Sequence, residues 1–331
     1  MAMSEACFKV VKAGLLTTVQ DAGRRGYLHA GVVASGVMDP FAYRISNLLV
    51  GNSDDAAVLE ATMVGPTLLA ERDQFISICG ADLSATIQGR RVPLWASFRM
   101  RKGEQLSFGK PVDGVRAYIA VRGGIDVPKI LGSRSTYLKG KLGGFNGRAL
   151  QKGDSLCAGK ISGAWLGHRL AASFVPSYKE KVVSLRVLLG PDKEMFTKEG
   201  INHFLSTYYK LTNASDRMGC RLTGAEIEHA DKADILSDAV TFGTIQVPKN
   251  GQPIILLADR QTTGGYPRIA HVIDVDLQKL GQLKPGQEVR FKEIDIETAQ
   301  KMASGHYNWL RWMRLSIDST FGHIKIKNLS D

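Results

Sequence analysis

The chain has 331 residues, 44% of them apolar and 23% charged, with a formal net charge of +11. That balance belongs to a soluble globular chain, long enough to bury a sizeable core and to divide into two domains. No apolar run is long enough to cross a bilayer as a helix, and no membrane role is expected.

The N-terminus lacks the basic and then apolar pattern of a signal peptide. Cys7, Cys79, Cys157 and Cys220 stand singly, without metal-ligand spacing, and read as reduced thiols of a cytoplasmic protein with no metal site. The positive charge makes nucleic acid the obvious candidate partner. The basic residues are spread along the chain, however, and no zinc finger, RNA-recognition signature or basic helical arm occurs. A diffuse positive field suits a small anion or an acidic partner protein equally well, and no nucleic-acid role is expected.

In chain order, Leu16-Thr-Thr-Val-Gln20 reads as a strand that runs into Asp21 and the glycine-bracketed pair Arg24-Arg25. Ser35-Gly36 follows, and Asp39-Pro40 looks like a helix N-cap with proline at the first helical position. Phe41, Ile45, Leu48 and Leu49 then share one helical face, and Gly51 ends the run. Cys79, inside Phe75-Ile-Ser-Ile-Cys79, is expected in the core. Further strands are predicted at Ala117–Val121, Ser184–Leu189, Gly243–Val247, Pro253–Ala258 and Glu288–Phe291. Helices are predicted over Asp192–Leu205 and Asp295–Trp312. The apolar residues Trp309, Trp312 and Met313 at its end are expected to pack against a barrel, with a partner interface as the alternative.

Lys102-Gly-Glu-Gln-Leu-Ser-Phe108 and Pro285-Gly-Gln-Glu-Val-Arg-Phe291 share an order of glycine, two polar residues, an aliphatic, a polar residue and Phe. Lys152-Gly-Asp-Ser-Leu156 begins in the same way. Each reads as a turn entering a closing strand, which suggests two barrel-like units in one chain. The linker between them is placed in Cys157 to Lys181.

Four constellations could carry chemistry. The first is Gln20, Asp21, Arg24 and Ser35 leading into the Asp39 helix start, where backbone N–H groups favour anions. The bland alternative makes Asp39 only a cap and Ser35 only a turn residue. The second is Lys139-Gly-Lys-Leu-Gly-Gly-Phe-Asn-Gly-Arg148, a flexible basic loop able to wrap N–H groups around a carboxylate or phosphate, although not a Walker A loop. A mobile surface hairpin is the alternative. The third is Ser215-Asp-Arg-Met-Gly219, whose Asp216 and Arg217 either orient a substrate or pair to cap a turn. The fourth is Asp259-Arg-Gln-Thr-Thr-Gly-Gly-Tyr-Pro-Arg268 at the end of an apolar strand. There Gly264 and Gly265 free the backbone, and Gln261, Thr262 and Thr263 supply short donors and acceptors. A solvated β-turn is the alternative. His271 follows as a possible base or as a structural strand histidine.

Eight motifs in order carry a resemblance to a known family. They are Thr17-Thr-Val-Gln-Asp21, Ser35-Gly-Val-Met-Asp39, Leu59-Glu60, Gly80-Ala-Asp82, Gly123-Gly124-Ile125, Gly143-Gly-Phe-Asn-Gly-Arg148, Ser215-Asp-Arg-Met-Gly219 and Gln261-Thr-Thr-Gly-Gly-Tyr-Pro267. From about Val10 to Ala299 the chain resembles the allophanate hydrolase subunit 2 family. That family includes the C subunit of 5-oxoprolinase, also called KipA, and part of the carboxyltransferase domain of urea carboxylase.

The resemblance implies a mainly β fold of two cyclophilin-like β-barrel domains with a few short helices. Their expected bounds are 1–165 and 182–300, followed by a C-terminal helix and tail over 301–331. It also implies partners, the homologues of the 5-oxoprolinase B subunit (KipI-like) and of its A subunit, in a hetero-oligomer. The expected activity is that of an ATP-dependent 5-oxoprolinase complex, which opens the lactam of 5-oxoproline to glutamate. ATP belongs to the assembled complex and is not necessarily bound by this chain.

For that small carboxylate amide, Arg24, Lys139 and Arg148 are the expected cationic clamp. Gln20, Gln261, Thr262 and Thr263 would read the amide, with Ser35 and Tyr266 also at the substrate. Asp21, Asp39 and Asp259 are candidate acids or bases, and Gly143, Gly144, Gly264 and Gly265 would let the backbone approach. Two alternatives stand beside this reading. One is a regulatory protein that binds KipI, an inhibitor of a sporulation kinase. The other is a biotin-dependent carboxyltransferase acting on a urea-like amide. Since the chain carries no Ala-Met-Lys-Met-like biotinyl site, the biotin would have to arrive on a carrier protein.

Overall fold

The structure, a computed structural model, describes residues 5–160, 165 and 167–327, with side chains described up to Ile317. Met1–Ser4, at the expected start of the first domain, lie outside the described residues. So do residues 161–164 and 166 of the expected linker and the last four residues of the tail.

The first half is built from two antiparallel sheets. The six-stranded sheet runs in the order Ser155–Ala158, Glu5–Lys12, Thr67–Ala70, Gln105–Ser107, Thr86–Ile87 and Arg90–Arg91. The five-stranded sheet runs Leu16–Gln20, Val58–Thr62, Asp113–Val121, Gln74–Asp82 and Ser97–Met100. One apolar core lies between them, with Phe8, Leu68, Leu59, Ile78 and Ile119 fully buried. In a strand successive side chains point to opposite faces. Ala117, Ile119 and Val121 therefore enter this core, while Tyr118 and Ala120 face the other way.

That outer face is covered by helix α1 (Pro40–Leu49), which is why the central strand is apolar on both sides. The helix forms where the sequence predicts it. The Asp39 carboxylate accepts from the Ala42 N–H at 2.9 Å and Pro40 occupies the first position. Gly51, at φ 70°, ends it in the left-handed region. Cys79 is buried under α1, as expected of a core residue.

The second half is a closed barrel of seven strands. They are Val182–Leu189, Arg268–Val272, Thr244–Gln246, Ile254–Leu256, Gly219–Thr223, Tyr209–Leu211 and Glu288–Glu293. Every pair is antiparallel except the closing one, in which Val182 lies opposite Glu288. The repeated glycine-to-Phe segments do not take equivalent places, since only the second enters a closing strand and the first enters an interior strand of an open sheet. Gln105–Ser107 joins the six-stranded sheet and Glu288–Glu293 closes the barrel. The helix expected over Asp192–Leu205 is shorter, and α2 spans Lys198–Ser206. Thr197 caps it by accepting from the Gly200 N–H at 2.9 Å, so the helix starts there. Helix α3 is Leu277–Leu280. The third expected helix is much longer than predicted, α4 running from Ile296 to Lys327. It packs on α1, where Trp309, Met313 and Ile317 join the cluster under that helix, and it touches the barrel at Met302, whose sulfur accepts from the Arg186 guanidinium at 3.3 Å.

The two halves are wedged together by the segment before α1. Met38, fully buried, enters the barrel core. Gln282, just after α3, reaches back to the first half. Its carbonyl accepts from the Val115 and Arg116 N–H groups at 3.0 Å, and its amide donates to Asp39 Oδ2 at 2.8 Å.

Candidate functional site

Where the two halves meet, a chain of buried charges is assembled from distant strand ends. Glu60 is an acid inside the otherwise apolar strand Val58–Thr62 and is 2% exposed. Its Oε1 accepts from the Arg217 guanidinium, and its Oε2 accepts from the Met38 N–H and the Tyr118 hydroxyl, each at 2.8 Å. Arg217 donates from Nε to Asp259 Oδ2 at 2.9 Å and also to the Gly36 carbonyl. Asp259 in turn accepts from the Ser35 hydroxyl at 2.6 Å. Burial opposes the charge on Arg217, but Glu60 and Asp259 outweigh it and hold the guanidinium above its ordinary pKa.

Ser35 is the point at which this network meets a cavity. Its backbone has φ 56°, a conformation that non-glycine residues rarely adopt and that tends to cluster at functional sites. Its hydroxyl also lies 2.8 Å from the Thr136 carbonyl. The cavity, of about 710 Å³, is walled by Ala22, Arg25 and α1 residues from the first half and by Phe242, Asp274, Val275, Leu277 and Gln278 from the second. Helix α4 roofs it with His306 and Tyr307. Burial and the Arg44 charge push the His306 pKa down, so the ring is neutral at physiological pH.

Behind Ser35 lies Arg24, 2% exposed. One of its terminal nitrogens donates to the Ser135 carbonyl, while Nε and Nη1 are buried without a partner among the described residues. Burial lowers its pKa against the pull of Asp21 and Asp259. The Gln20 amide nitrogen donates to the Thr136 carbonyl at 3.1 Å, and its Oε1 is likewise buried and unpaired. Unsatisfied buried polar atoms cost about 1–3 kcal/mol each, and those of Gln20 and Arg24 lie together here.

The structure thus brings Gln20, Asp21, Arg24, Ser35, Asp39 and Asp259 into one region. The three carboxylates, however, are bound up in organising loops. Asp21 accepts from the Ser133 and Ser135 hydroxyls at 2.6 Å, the Gly23 N–H at 2.9 Å and the Arg134 N–H at 2.5 Å. Asp39, with no exposed surface, caps α1 and accepts from Gln282 and, at 3.2 Å, from the Tyr178 hydroxyl. Burial raises its pKa to about 6, partly offset by these hydrogen bonds.

The remaining expectations are placed differently. Gly143 and Gly144 do permit a close approach, but of the chain to itself. A Cβ on Gly143 would lie 2.0 Å from an Arg24 nitrogen, and one on Gly144 would lie 1.8 Å from the Thr136 hydroxyl. Arg148 and Lys139 do not join Arg24 in a clamp. Arg148 is held bidentately by Asp154 at 2.7 and 2.8 Å, and Lys139 is exposed beside Asp216 at 3.7 Å. Within that loop the N–H groups of Lys141, Gly147 and Arg148 bond to neighbouring carbonyls, so these groups do not fit a nucleotide's phosphates.

Gln261 to Tyr266 is stapled to another loop. Thr263–Gly264 pairs with Asp238–Ala239, the Thr262 carbonyl accepts from the Val240 N–H at 3.2 Å, and the Gly265 carbonyl accepts from the Ile235 N–H at 2.9 Å. Gly264 packs on the Gln246 side chain and Tyr266 is 39% exposed. None of these six residues lines the cavity. Asp216 and Arg217 do not pair with each other, since Asp216 caps its own turn at the Met218 N–H. His271 is a half-buried strand residue whose pKa burial lowers, and it stands outside the cavity. Sequence reasoning passed over Glu60 as a site residue, and the signal was an acid within an apolar strand. It also passed over Arg44, which had no signal beyond its place on the exposed side of α1.

Residues 30–293 match the model of the carboxyltransferase domain, subdomains A and B. The chain belongs to this carboxyltransferase-domain family. It is 39% identical to the 5-oxoprolinase C subunit of Escherichia coli (strain K12) over 295 residues, 88% of this chain and 93% of the relative. It is 34% identical to the 5-oxoprolinase C subunit of Haemophilus influenzae, over 91% of this chain and 96% of the relative. Its fold is similar to that of the Kluyveromyces lactis urea amidolyase at a TM-score of 0.88 and 30% identity. That match covers 95% of this chain and 20% of the urea amidolyase chain. The family match ends before α4 begins. No helix among the described residues is long and apolar enough to cross a membrane.

Proposed function

We propose that this chain serves as the C subunit of a 5-oxoprolinase, working with homologues of the A and B subunits and binding a small carboxylate amide in the Ser35 cavity. The observation that carries the reading is the 39% identity to a named C subunit over nearly the full length of both chains. Opening a lactam adds water across its C–N bond. A proton must leave the water and one must reach the ring nitrogen.

Ser35 lies on the cavity wall and its hydroxyl donates to Asp259, which Arg217 fixes in place. In this reading the pair takes up and returns the proton. In this reading Arg24 and Gln20, buried behind the cavity wall and not on it, form its polar backing with their unpaired donors and acceptor. Arg25 and Arg44 on the cavity wall draw the anion in. Asp21 and Asp39 are positioning residues. Hydrolysis of ATP belongs to the complex, and no step on this chain is assigned to it.

The experiment is ATP-dependent glutamate release by the reconstituted complex, each subunit omitted in turn. Loss of release without this chain, and in Ser35→Ala and Asp259→Asn variants that still assemble, supports the assignment. Full turnover in both variants removes the Ser35 and Asp259 roles, and no release from the complete complex removes the reaction.

A second reading, carboxyl transfer from biotin, is favoured by the structural likeness to urea amidolyase. It predicts that turnover requires bicarbonate and a biotinylated carrier.

A further inference from the structure

A second cavity, of about 660 Å³, lies beside the first under α4 and shares Ala22, Arg25, Arg44 and Tyr307 with it. Its walls hold four arginines: Arg25, Arg44, Arg311 and Arg314. Arg314 is committed, bonded to the Asn52 carbonyl at 2.6 Å and paired with Asp54. Asp55 on the same wall is taken by Lys129 at 2.9 Å. The side chains of Arg25, Arg44 and Arg311 make no hydrogen bond or ion pair among the described residues.

Three uncompensated guanidinium groups in one concave space repel each other and raise the local positive potential. The cost is relieved by an anion with several charged oxygens, which the planar fork of arginine suits. We propose that this outer cavity binds a small polyanion, bearing phosphate or several carboxylates, between Arg25, Arg44 and Arg311. A nucleic-acid surface fits less well, because the charges line a bounded hollow and, among the described residues, the next exposed positions of α4 are the uncharged Trp312, Leu315 and Ser316.

Arg311 and Tyr307 come from α4, beyond the family match, so the site is not a property the family match accounts for. Helical geometry explains how one helix serves two purposes. Tyr307, Arg311, Arg314 and Leu315 face the cavity, while Trp309, Met313 and Ile317, four apart, hold the helix on α1. The proposal does not depend on the lactam reading, because Arg311 lines only the outer cavity.

Calorimetric titration of the full chain with inorganic phosphate, pyrophosphate and citrate at low and high salt tests it. Saturable binding that weakens with salt is expected, and the stronger of pyrophosphate and citrate identifies the charge chemistry. Arg311→Ala is expected to weaken it roughly tenfold or more, and Arg44→Ala likewise. Lys301→Ala removes an equal charge from the same helix outside both cavities and is expected to leave binding unchanged. Circular dichroism confirms that each variant folds. The proposal is overturned by absence of saturable binding, by equal weakening in Lys301→Ala, by wild-type affinity in Arg311→Ala, or by duplex DNA displacing the anion.

Discussion

Ser35 and Asp259 stand 224 positions apart in the chain and meet through a 2.6 Å hydrogen bond at the junction of the two halves. The bond ties the loop before α1 to the end of a barrel strand, and the next partner of Asp259 is Arg217. Arg217 therefore holds two buried acids from different halves, Glu60 and Asp259, 8% exposed itself.

Replacing Arg217 by Met keeps the volume but leaves both carboxylates buried and unpaired. Breaking a buried pair in this way costs about 3–5 kcal/mol. Chemical denaturation of Arg217→Met is expected to show a loss of that order. The triple variant with Glu60→Gln and Asp259→Asn is expected to recover part of it, since the stranded charges are gone. A single-variant loss under about 1 kcal/mol would show that the network is not a structural keystone.

Asp39 gives a pH signature. Its folded pKa, raised to about 6 by burial, lies above its unfolded value of 3.8. The folded chain therefore holds the proton more tightly than the unfolded chain. The resulting stabilisation is fully present below 3.8 and is lost as pH rises through about 6. Other carboxylates titrate in the same window, so the measurement is the difference between wild type and Asp39→Asn, followed by denaturation from pH 4 to 7. Wild type is expected to lose a few kcal/mol relative to the variant across that range. Parallel profiles would place the Asp39 pKa near its ordinary value.

Gly143 separates a crowding effect from a backbone effect. At φ 67°, any side chain strains the backbone by about 1–2 kcal/mol. At Gly143 the added Cβ would also sit 2.0 Å from the Arg24 guanidinium and 2.3 Å from the Ser135 carbonyl. At Gly132, φ 77°, it would meet nothing within 4 Å. Thermal denaturation is expected to show a modest loss in Gly132→Ala and a clearly larger one in Gly143→Ala, together with loss of activity in the assembled complex. Equal losses would mean that the Arg24 environment can yield.

Much of this arrangement was legible in the residues, and what was not has a physical reason. Asp39-Pro40 and the spaced Phe41, Ile45 and Leu48 disclosed α1, because a cap and a face are local signals. The loop of Gln20 to Ser35 stood out for the same reason. The pairing of Glu60 with Arg217 spans 157 positions and depends on how sheet and barrel dock, which no local pattern encodes. Lys139 and Arg148 misled because a basic, glycine-rich segment looks the same whether its charges meet a ligand or an aspartate a turn away. The segment around Gln261 misled similarly, its polar groups being used by a neighbouring hairpin. Helix α4 ran past its predicted end at Trp312 because Met313 and Ile317 pack on α1, which overrides the weak helix propensity of Ser316 between them.

That packing yields the last prediction. Trp309 lies 5.9 Å from Phe41 and 4.9 Å from Phe174, ring to ring, and Met313 and Ile317 extend the contact along α1. No α4 residue enters the barrel core, so the helix can detach without unfolding the barrel. Trp309→Ala removes the largest apolar contact at this seam, and burying such a side chain contributes about 1.5–3 kcal/mol. Hydrogen exchange read by peptide is expected to accelerate over residues 296–327 while the barrel strands Val182–Leu189 and Glu288–Glu293 keep their protection, the mark of local opening. Because α4 roofs both cavities, pyrophosphate affinity should fall in the same variant although no arginine is altered. Uniform acceleration across barrel and helix would show instead that α4 is part of one cooperative unit and that its loss unfolds the whole chain.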